Sequence, residues 1–158
     1  MLYLSKILYI WYVMKAVIQR VLSAELKVEG KLISKIDKGY VIFLGVGVGD
    51  SYDNADYFIK KIPTLRICED ENGKINKSIK DVNGEILLVS QFTLLANTTH
   101  GNRPDFLSAE KPDRANELYL YVANGLKEAG LPVKLGVFGA DMKISQVNDG
   151  PFTIILEK

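Results

Sequence analysis

The chain has 158 residues, of which 47% are hydrophobic and 25% charged, a composition typical of one globular domain with a sizeable core. The net charge of +1 argues against a broad basic surface for nucleic acid, so any such contact is expected to be local. A single cysteine, Cys68, excludes an intramolecular disulfide, and with a single histidine, His100, it cannot form a His/Cys zinc site. We therefore expect no metal, no cofactor and a reducing, cytoplasmic location.

Residues 1–13 are apolar and aromatic, and Met14 leads directly into a predicted strand. Thirteen residues fall short of the roughly 20 needed to cross a bilayer, and they lack the small-residue cleavage site of a signal peptide. The pattern favours an upstream start codon over an extra element packed on the domain or a membrane-surface anchor. We expect one domain at 14–158, an extension at 1–13, and no membrane partner.

The hydrophobic pattern predicts about eight strands and two helices. The strands are expected at 15–22, in a hairpin around Glu29-Gly30 within 23–36, and at 40–48, 65–68, 84–95, 133–138, 142–147 and 152–157. The helices are expected at 52–63, capped by Asp50-Ser51, and from about 113 to 128, with the apolar stripe Ala115, Leu118, Tyr119, Val122, Ala123 and Leu126. This order predicts an α+β fold of largely antiparallel β-sheets in barrel-like layers, with two helices packed on one side, in β/β/α layers.

Three glycines, Gly45, Gly47 and Gly49, superficially suggest a phosphate loop. The segment lacks the lysine of a P-loop and the complete dinucleotide fingerprint. Glycines within a strand more often mark a bulge or a close approach of two backbones. We therefore expect no nucleotide site there.

The stretch 84–95 begins as an apolar strand and then becomes polar at Ser90, Gln91 and Thr93. Strand alternation would divide it into two faces, one with Leu87, Val89, Gln91, Thr93 and Leu95, the other with Ile86, Leu88, Ser90, Phe92 and Leu94. Buried polar groups need hydrogen-bond partners. These side chains therefore either satisfy each other or bind a ligand, and the stretch alone slightly favours the former.

Two further features remain open on the residues alone. Arg20 lies in a strand otherwise built for burial, and its pattern favours an edge position with the guanidinium in water. The segment 148–153, Asn-Asp-Gly-Pro-Phe-Thr, interrupts the last strand, and a plain hairpin turn is its simplest interpretation. Its Gly150-Pro151 bond is a candidate cis peptide.

Taken together, Ser90-Gln-Phe-Thr-Leu94 and Asn148-Asp-Gly-Pro-Phe-Thr153 resemble the paired motifs of the D-aminoacyl-tRNA deacylases. The segments 14–21, 101–106 and 139–142 are also similar to that family, in the same order, so the resemblance covers essentially 14–158. Phe152 stands where the family more often has valine, which could reshape the pocket wall. The first thirteen residues have no counterpart in the family.

The resemblance implies hydrolysis of the ester between a D-amino acid, or glycine mischarged on tRNA-Ala, and the 3′ end of tRNA. It implies a homodimer in which the Gly150-Pro151 loop, with a cis bond, enters the partner's active site and excludes L side chains. Arg20 and Asn148 would belong to the same loop and dimer geometry. The pocket for the terminal adenosine and the ester would be formed by Ser90, Gln91, Phe92 and Thr93.

The residues leave the mechanism and two rival functions open. Thr93 carries a candidate nucleophilic hydroxyl but lacks an evident base. We favour a mechanism in which backbone N–H groups near Phe92 and Thr93 stabilise the oxyanion while the ribose 2′-hydroxyl assists water. The rivals are a small-ester hydrolase that uses His100 as its base and a non-catalytic module that binds an RNA 3′ end.

Overall fold

The computed structural model describes residues 13–158, so the prediction for the extension at 1–13 falls almost wholly outside the described residues. The strands are β1 (Lys15–Val28), β2 (Lys31–Ile36), β3 (Gly39–Gly45), β4 (Cys68–Glu69), β5 (Ile75–Lys77), β6 (Glu85–Ser90), β7 (Val133–Leu135) and β8 (Lys143–Glu157). The helices are α1 (Tyr52–Thr64) and α2 (Pro112–Glu128), with a 3₁₀ turn at Phe92–Leu95. No helix within 13–158 is long and apolar enough to span a bilayer.

The long strand β1 organises the sheet, because it is hydrogen-bonded on both edges. Its first half pairs antiparallel with β3 and its second half with β2, while β8 runs antiparallel along the other edge. Strands β6 and β7 then add in parallel, in the order β2-β1-β3-β6-β7. Side chains link β2 to β7, since the Ser34 hydroxyl donates to the Leu135 carbonyl at 2.5 Å. The sheet is thus nearly closed into a barrel, and the predicted α+β class is confirmed.

Two apolar layers pack on opposite faces of this sheet. In the first half of β1, Ala16 and Ile18 face the helices, whereas in its second half Ala24 and Leu26 face the barrel interior. The pairing of β1 with β8 shifts register between Gln19 and Ser23, and an extra residue in a strand exchanges its faces. One strand therefore contributes to both cores.

The two helices match their sequence signals. α1 begins with a capping box in which the Ser51 N–H donates to the Asn54 side chain at 2.9 Å, and Pro63 lies in its last turn. α2 buries the six residues of the predicted stripe. The helices touch at Gly125, where a methyl group would lie 2.3 Å from Cδ1 of Ile59.

The predicted strand over 84–95 is wrong in its second half. β6 ends at Ser90, and the chain turns into the 3₁₀ segment, so the alternation expected up to Leu95 does not occur. A close approach explains the turn, because a Cβ on Gly45 would lie 2.6 Å from Cδ2 of Leu95 and 3.0 Å from the Gln91 carbonyl. The strand glycine therefore makes room for the backbone that leaves β6.

The end of the chain also differs from expectation. β8 is one continuous strand over Lys143–Glu157, not two strands around a turn at 148–151, and its irregularity is absorbed by the register shifts against β1. The Gly150-Pro151 peptide bond is cis. Elsewhere β1 extends to Val28, the strand expected at 65–68 is reduced to Cys68–Glu69, β7 ends at Leu135, and the short strand β5 was not predicted.

A buried carboxylate, Asp50, fastens the turn after β3. Its Oδ2 accepts the Gly47 N–H at 2.6 Å. Burial, together with the nearby Glu110 charge, raises the pKa of Asp50 to about 6 against the lowering effect of backbone hydrogen bonding, chiefly from Gly47. Its ionised form is thus disfavoured in the folded state.

We expect Asp50 to make the free energy of unfolding fall as pH rises from about 4 to about 6. In this window the folded protein holds a proton on Asp50 that the unfolded chain, with a pKa near 3.9, has released. Relative to Asp50→Asn, wild-type stability should fall by about 2–3 kcal/mol between pH 4 and pH 7. Urea unfolding of both proteins across this range measures it, and parallel curves would refute the assignment.

Candidate active site

A cavity of about 750 Å³ opens where β6 ends. Its wall is mainly apolar, with polar groups contributed by the segment that leaves β6 and by the start of α2. This volume lies within the range of about 300–1,000 Å³ that is usual for small-molecule sites. The lining residues are Val46, Val89, Ser90, Gln91, Phe92, Phe106, Ala109, Glu110, Lys111, Pro112, Ala115, Phe138, Gly139, Ala140, Asp141, Met142 and Ile144.

Three of the predicted site residues, Ser90, Gln91 and Phe92, line this cavity. Ser90 is paired with Leu44 in the parallel ladder, and the Gln91 N–H donates to the Leu44 carbonyl at 2.9 Å. The Gln91 side-chain amide donates to the Thr93 hydroxyl, which is exposed beside the cavity and is not part of its wall. Gln91 and Thr93 therefore satisfy each other in part, one of the two alternatives that the sequence left open, and Thr93 is exposed while they do so.

Phe92 is 53% exposed, although it is a large apolar side chain. Its ring meets that of Phe106 edge to face, with centroids 5.0 Å apart and planes at 72°. The N–H groups of Phe92 and Thr93 open the 3₁₀ turn, and residues there have no intrahelical acceptor. Within the described chain neither N–H donates to another backbone group.

The opposite wall, which includes Phe106, Glu110, Lys111 and Phe138, was not predicted from the sequence. Backbone bonds hold the segment before α2 against the turn after β3, since the Glu110 N–H donates to the Val46 carbonyl at 2.9 Å. One signal in the sequence did point to this wall. Segment 101–106, which ends at Phe106, and segment 139–142 both resemble the same family, and both reach the cavity.

The remaining predicted site residues gather around the buried side chain of Arg20, which is 3% exposed. Its guanidinium donates to the Ile67 carbonyl at 2.8 Å and the Asp149 carbonyl at 3.2 Å, and it pairs with the carboxylates of Asp149 at 3.3 Å and Glu69 at 3.5 Å. It also lies 4.9 Å from the centre of the Phe152 ring. The interpretation of Arg20 as an edge residue in water is therefore wrong.

The neighbouring Tyr40 side chain is also buried, and its hydroxyl lies 3.3 Å from Cys68 Sγ. Burial and then the contact with Cys68 raise the pKa of Tyr40 well above its usual value, against the opposing effect of the Arg20 charge. The phenol is therefore neutral, and it does not act as a counter-ion for the guanidinium.

Arg20 borders the segment that carries Asn148, Gly150 and Pro151. Gly150 has φ of 126°, and a Cβ placed there would lie 3.1 Å from the Phe152 nitrogen and 3.3 Å from an Arg20 terminal nitrogen. The Asn148 Oδ1 accepts the Gln146 amide at 2.6 Å, and Pro151 is exposed.

Within one chain these two groups of residues do not meet. Arg20 lies opposite Tyr40, whereas Ala16 lies opposite Leu44, the partner of Ser90. Four residues of strand separate these pairs, or about 13 Å along the ladder. Neither Gly150 nor Pro151 is among the residues of the described chain that line the cavity.

His100 lies outside both groups. It is exposed in the loop between Asn97 and Asp105, whose backbones pair with each other, and it does not line the cavity. Among residues 13–158, no cluster of three or more His, Cys, Asp or Glu side chains could hold a metal ion.

Comparison with known proteins gives consistent matches over nearly the whole described chain. The family model for "D-Tyr-tRNA(Tyr) deacylase" matches residues 17–157. The D-aminoacyl-tRNA deacylase of Geotalea daltonii is 51% identical over 144 residues, which cover 91% of this chain and 96% of that protein. The protein of the same name from Syntrophus aciditrophicus is 49% identical over 144 residues, covering 91% and 97%.

Two solved structures share the fold. A c-Myc DNA unwinding element binding protein superposes with a TM-score of 0.85 at 41% identity, covering 91% of this chain and 98% of that one. A probable eukaryotic D-amino acid tRNA deacylase superposes with a TM-score of 0.78, covering 92% and 100%, although only 16% of residues are identical. Because the family model matches nearly all of residues 13–158 and relatives are about half identical, the chain belongs to the D-Tyr-tRNA(Tyr) deacylase family of hydrolases.

Proposed function

We propose that this protein hydrolyses the ester bond of D-aminoacyl-tRNA, using one water and releasing the free D-amino acid and tRNA with a free 3′ end. The observation that carries the proposal is the cavity at the end of β6, in a chain of this family, with Ser90, Gln91 and Phe92 on its wall. Its apolar wall suits an adenine and ribose, and its polar segment suits an ester. Neither a cofactor nor a metal is part of the proposal.

The proposed chemistry uses positioning and hydrogen bonds, not a protein nucleophile. The Thr93 hydroxyl accepts a hydrogen bond from the Gln91 amide, and His100 lies outside the cavity wall. The hydroxyl of Thr93 therefore has no histidine base to activate it as a nucleophile. The N–H groups of Phe92 and Thr93, which have no backbone acceptor in the described chain, instead stabilise the oxyanion. The ribose 2′-hydroxyl next to the ester then assists the attacking water.

Selectivity for D substrates is proposed to come from the Gly150-Pro151 segment of a second subunit. In its own chain the segment does not line the cavity, and Arg20 beside it lies about four residues along the sheet from the position of Ser90. β8 pairs only with β1 within the described chain, and the apolar side chains of Val147 and Ile155 are 53% and 64% exposed. An edge strand with exposed apolar residues suits a subunit interface, which makes a homodimer the working assembly.

Exclusion explains which substrates pass this filter. A rigid backbone segment placed on one side of the substrate α-carbon leaves no space for an L side chain but does not contact a D side chain. Glycine has no side chain to exclude. The mechanism therefore accepts glycine mischarged on tRNA-Ala as well as D-aminoacyl esters.

The purified protein should deacylate D-tyrosyl-tRNA and leave L-tyrosyl-tRNA intact with a metal chelator present, because only the L side chain meets the filter. Release of labelled tyrosine from matched D and L esters measures this. Equal loss of both esters would eliminate the stereochemical filter and favour a general esterase. Binding of tRNA without hydrolysis would instead support the binding module.

Thr93→Ala should retain activity within about tenfold of wild type, since the mechanism assigns Thr93 no bond to the substrate carbon. His100→Ala should have a still smaller effect because its side chain lies off the cavity. Single-turnover deacylation separates chemistry from binding, and thermal melting controls for folding. Complete loss in a folded Thr93→Ala protein would restore threonine as nucleophile.

Gly150→Ala should lower deacylation by at least about tenfold, because the new methyl group would crowd Phe152 and Arg20 at a backbone angle that L residues rarely adopt. Gly73→Ala is the matched control, since Gly73 has φ of 75° with open space around it. Rates on D-tyrosyl-tRNA compare the two variants.

A mixture of Gly150→Ala with Phe92→Ala then tests the cross-subunit arrangement. If the segment serves the partner's cavity, each mixed dimer has one intact site, and random exchange restores about a quarter of wild-type activity. If the segment serves its own cavity, mixing restores nothing.

A further inference from the structure

The cavity wall carries one cation among the residues that the structure describes, Lys111. The other charged lining residues are Glu110 and Asp141. Asp141 pairs with Lys143 at 3.1 Å, and Glu110 accepts backbone N–H groups from Gly49 at 3.3 Å and Lys111 at 2.9 Å. Within 13–158 no carboxylate lies within ion-pair distance of the Lys111 ammonium, so it is free to meet an anion.

The backbone of Lys111 is held on both sides although its side chain is exposed. Its carbonyl accepts the Ala115 N–H at 2.9 Å in the first turn of α2. The preceding residue, Glu110, donates its N–H to the Val46 carbonyl at 2.9 Å. The exposed side chain therefore extends from a fixed point on the cavity wall.

The proposed substrate has one kind of anion that could lie beside Lys111, a backbone phosphodiester. The proposed substrate ester has an α-ammonium but no free carboxylate, so its closest negative charge is the phosphodiester on the 5′ side of the terminal adenosine. With the adenosine in the apolar cavity, that phosphodiester remains at the mouth, because burial of an unpaired charge is costly.

We propose that Lys111 binds this phosphodiester and thereby favours the 3′ end of a polynucleotide over a free nucleoside ester. The inference rests on the proposed function and adds a binding residue to its site. Because the contact lies in water, it is worth about fivefold in KM, and kcat is unchanged. It also contributes about 0.7 to the slope of log affinity against log salt, the value for one phosphate of a single strand.

The test compares two small esters, of which the second adds a cytidine joined through one phosphodiester: D-tyrosyl-adenosine with a free 5′-hydroxyl, and the D-tyrosyl ester of cytidylyl-(3′→5′)-adenosine. For the dinucleotide ester, Lys111→Gln should raise KM about fivefold and Lys111→Arg should preserve it. For the nucleoside ester, Lys111→Gln should raise KM by no more than about twofold. Lys127→Gln, at the other end of α2, is the matched control and should change neither KM.

An equal rise of KM for both esters would overturn the inference, because Lys111 would then shape the cavity and not contact phosphate. An unchanged KM for the dinucleotide ester would overturn it as well. Failure of wild-type protein to hydrolyse D-tyrosyl-tRNA would instead remove the proposed function, and this inference with it. A KM penalty limited to the dinucleotide ester, with a shallower salt slope, supports it.

Discussion

The fold depends on the pairing of β1 on both of its edges. This strand carries β3 and β2 on one side and β8 on the other, so every other strand of the main sheet is bonded to it directly or through β3. Its register shift near Val21 lets it serve the helix-facing core first and the barrel interior second. The strand thereby joins two cores that would otherwise be separate layers.

Both groups of candidate site residues are held in place by buried contacts behind them. At the cavity, the absence of a side chain on Gly45 allows the chain to turn after Ser90, which exposes Gln91 and Phe92 in place of continuing the strand. Around Gly150 and Pro151, the guanidinium of Arg20 bonds to the backbone of β8 and to the segment that contains β4. A buried charge is stable only when it is paired and hydrogen-bonded, as this one is.

The sequence predicted those parts that depend on local chemistry. Both helices, the capping box of α1 and the buried stripe of α2 follow from periodicity and from residues at the helix starts. The end of β6 could not be read from its own residues, because it depends on a contact with Gly45 about forty-five positions earlier. The burial of Arg20 likewise depends on carbonyl groups that are distant in the sequence.

The same distinction applies to the candidate site. The polar stretch at Ser90–Phe92 is visible as a break in an apolar run, but the opposite wall, with Phe106 and Lys111, comes from a loop and a helix start that show no such break. The family resemblance supplied the assignment of Gly150 and Pro151, which composition and periodicity alone would have left as a turn.

The continuity of β8 limits how this protein can vary. One strand carries Ile144 on the cavity wall and Pro151 seven positions later, with pairing to β1 before and after. Loss or gain of one residue between them would exchange the two faces of the strand and move the segment by about 3 Å. Within 13–158 the loop at 96–105 has no ladder partner outside itself, so it can change length at little cost. Variation in length is therefore tolerated in this loop but not along the strand that joins the cavity wall to Gly150-Pro151.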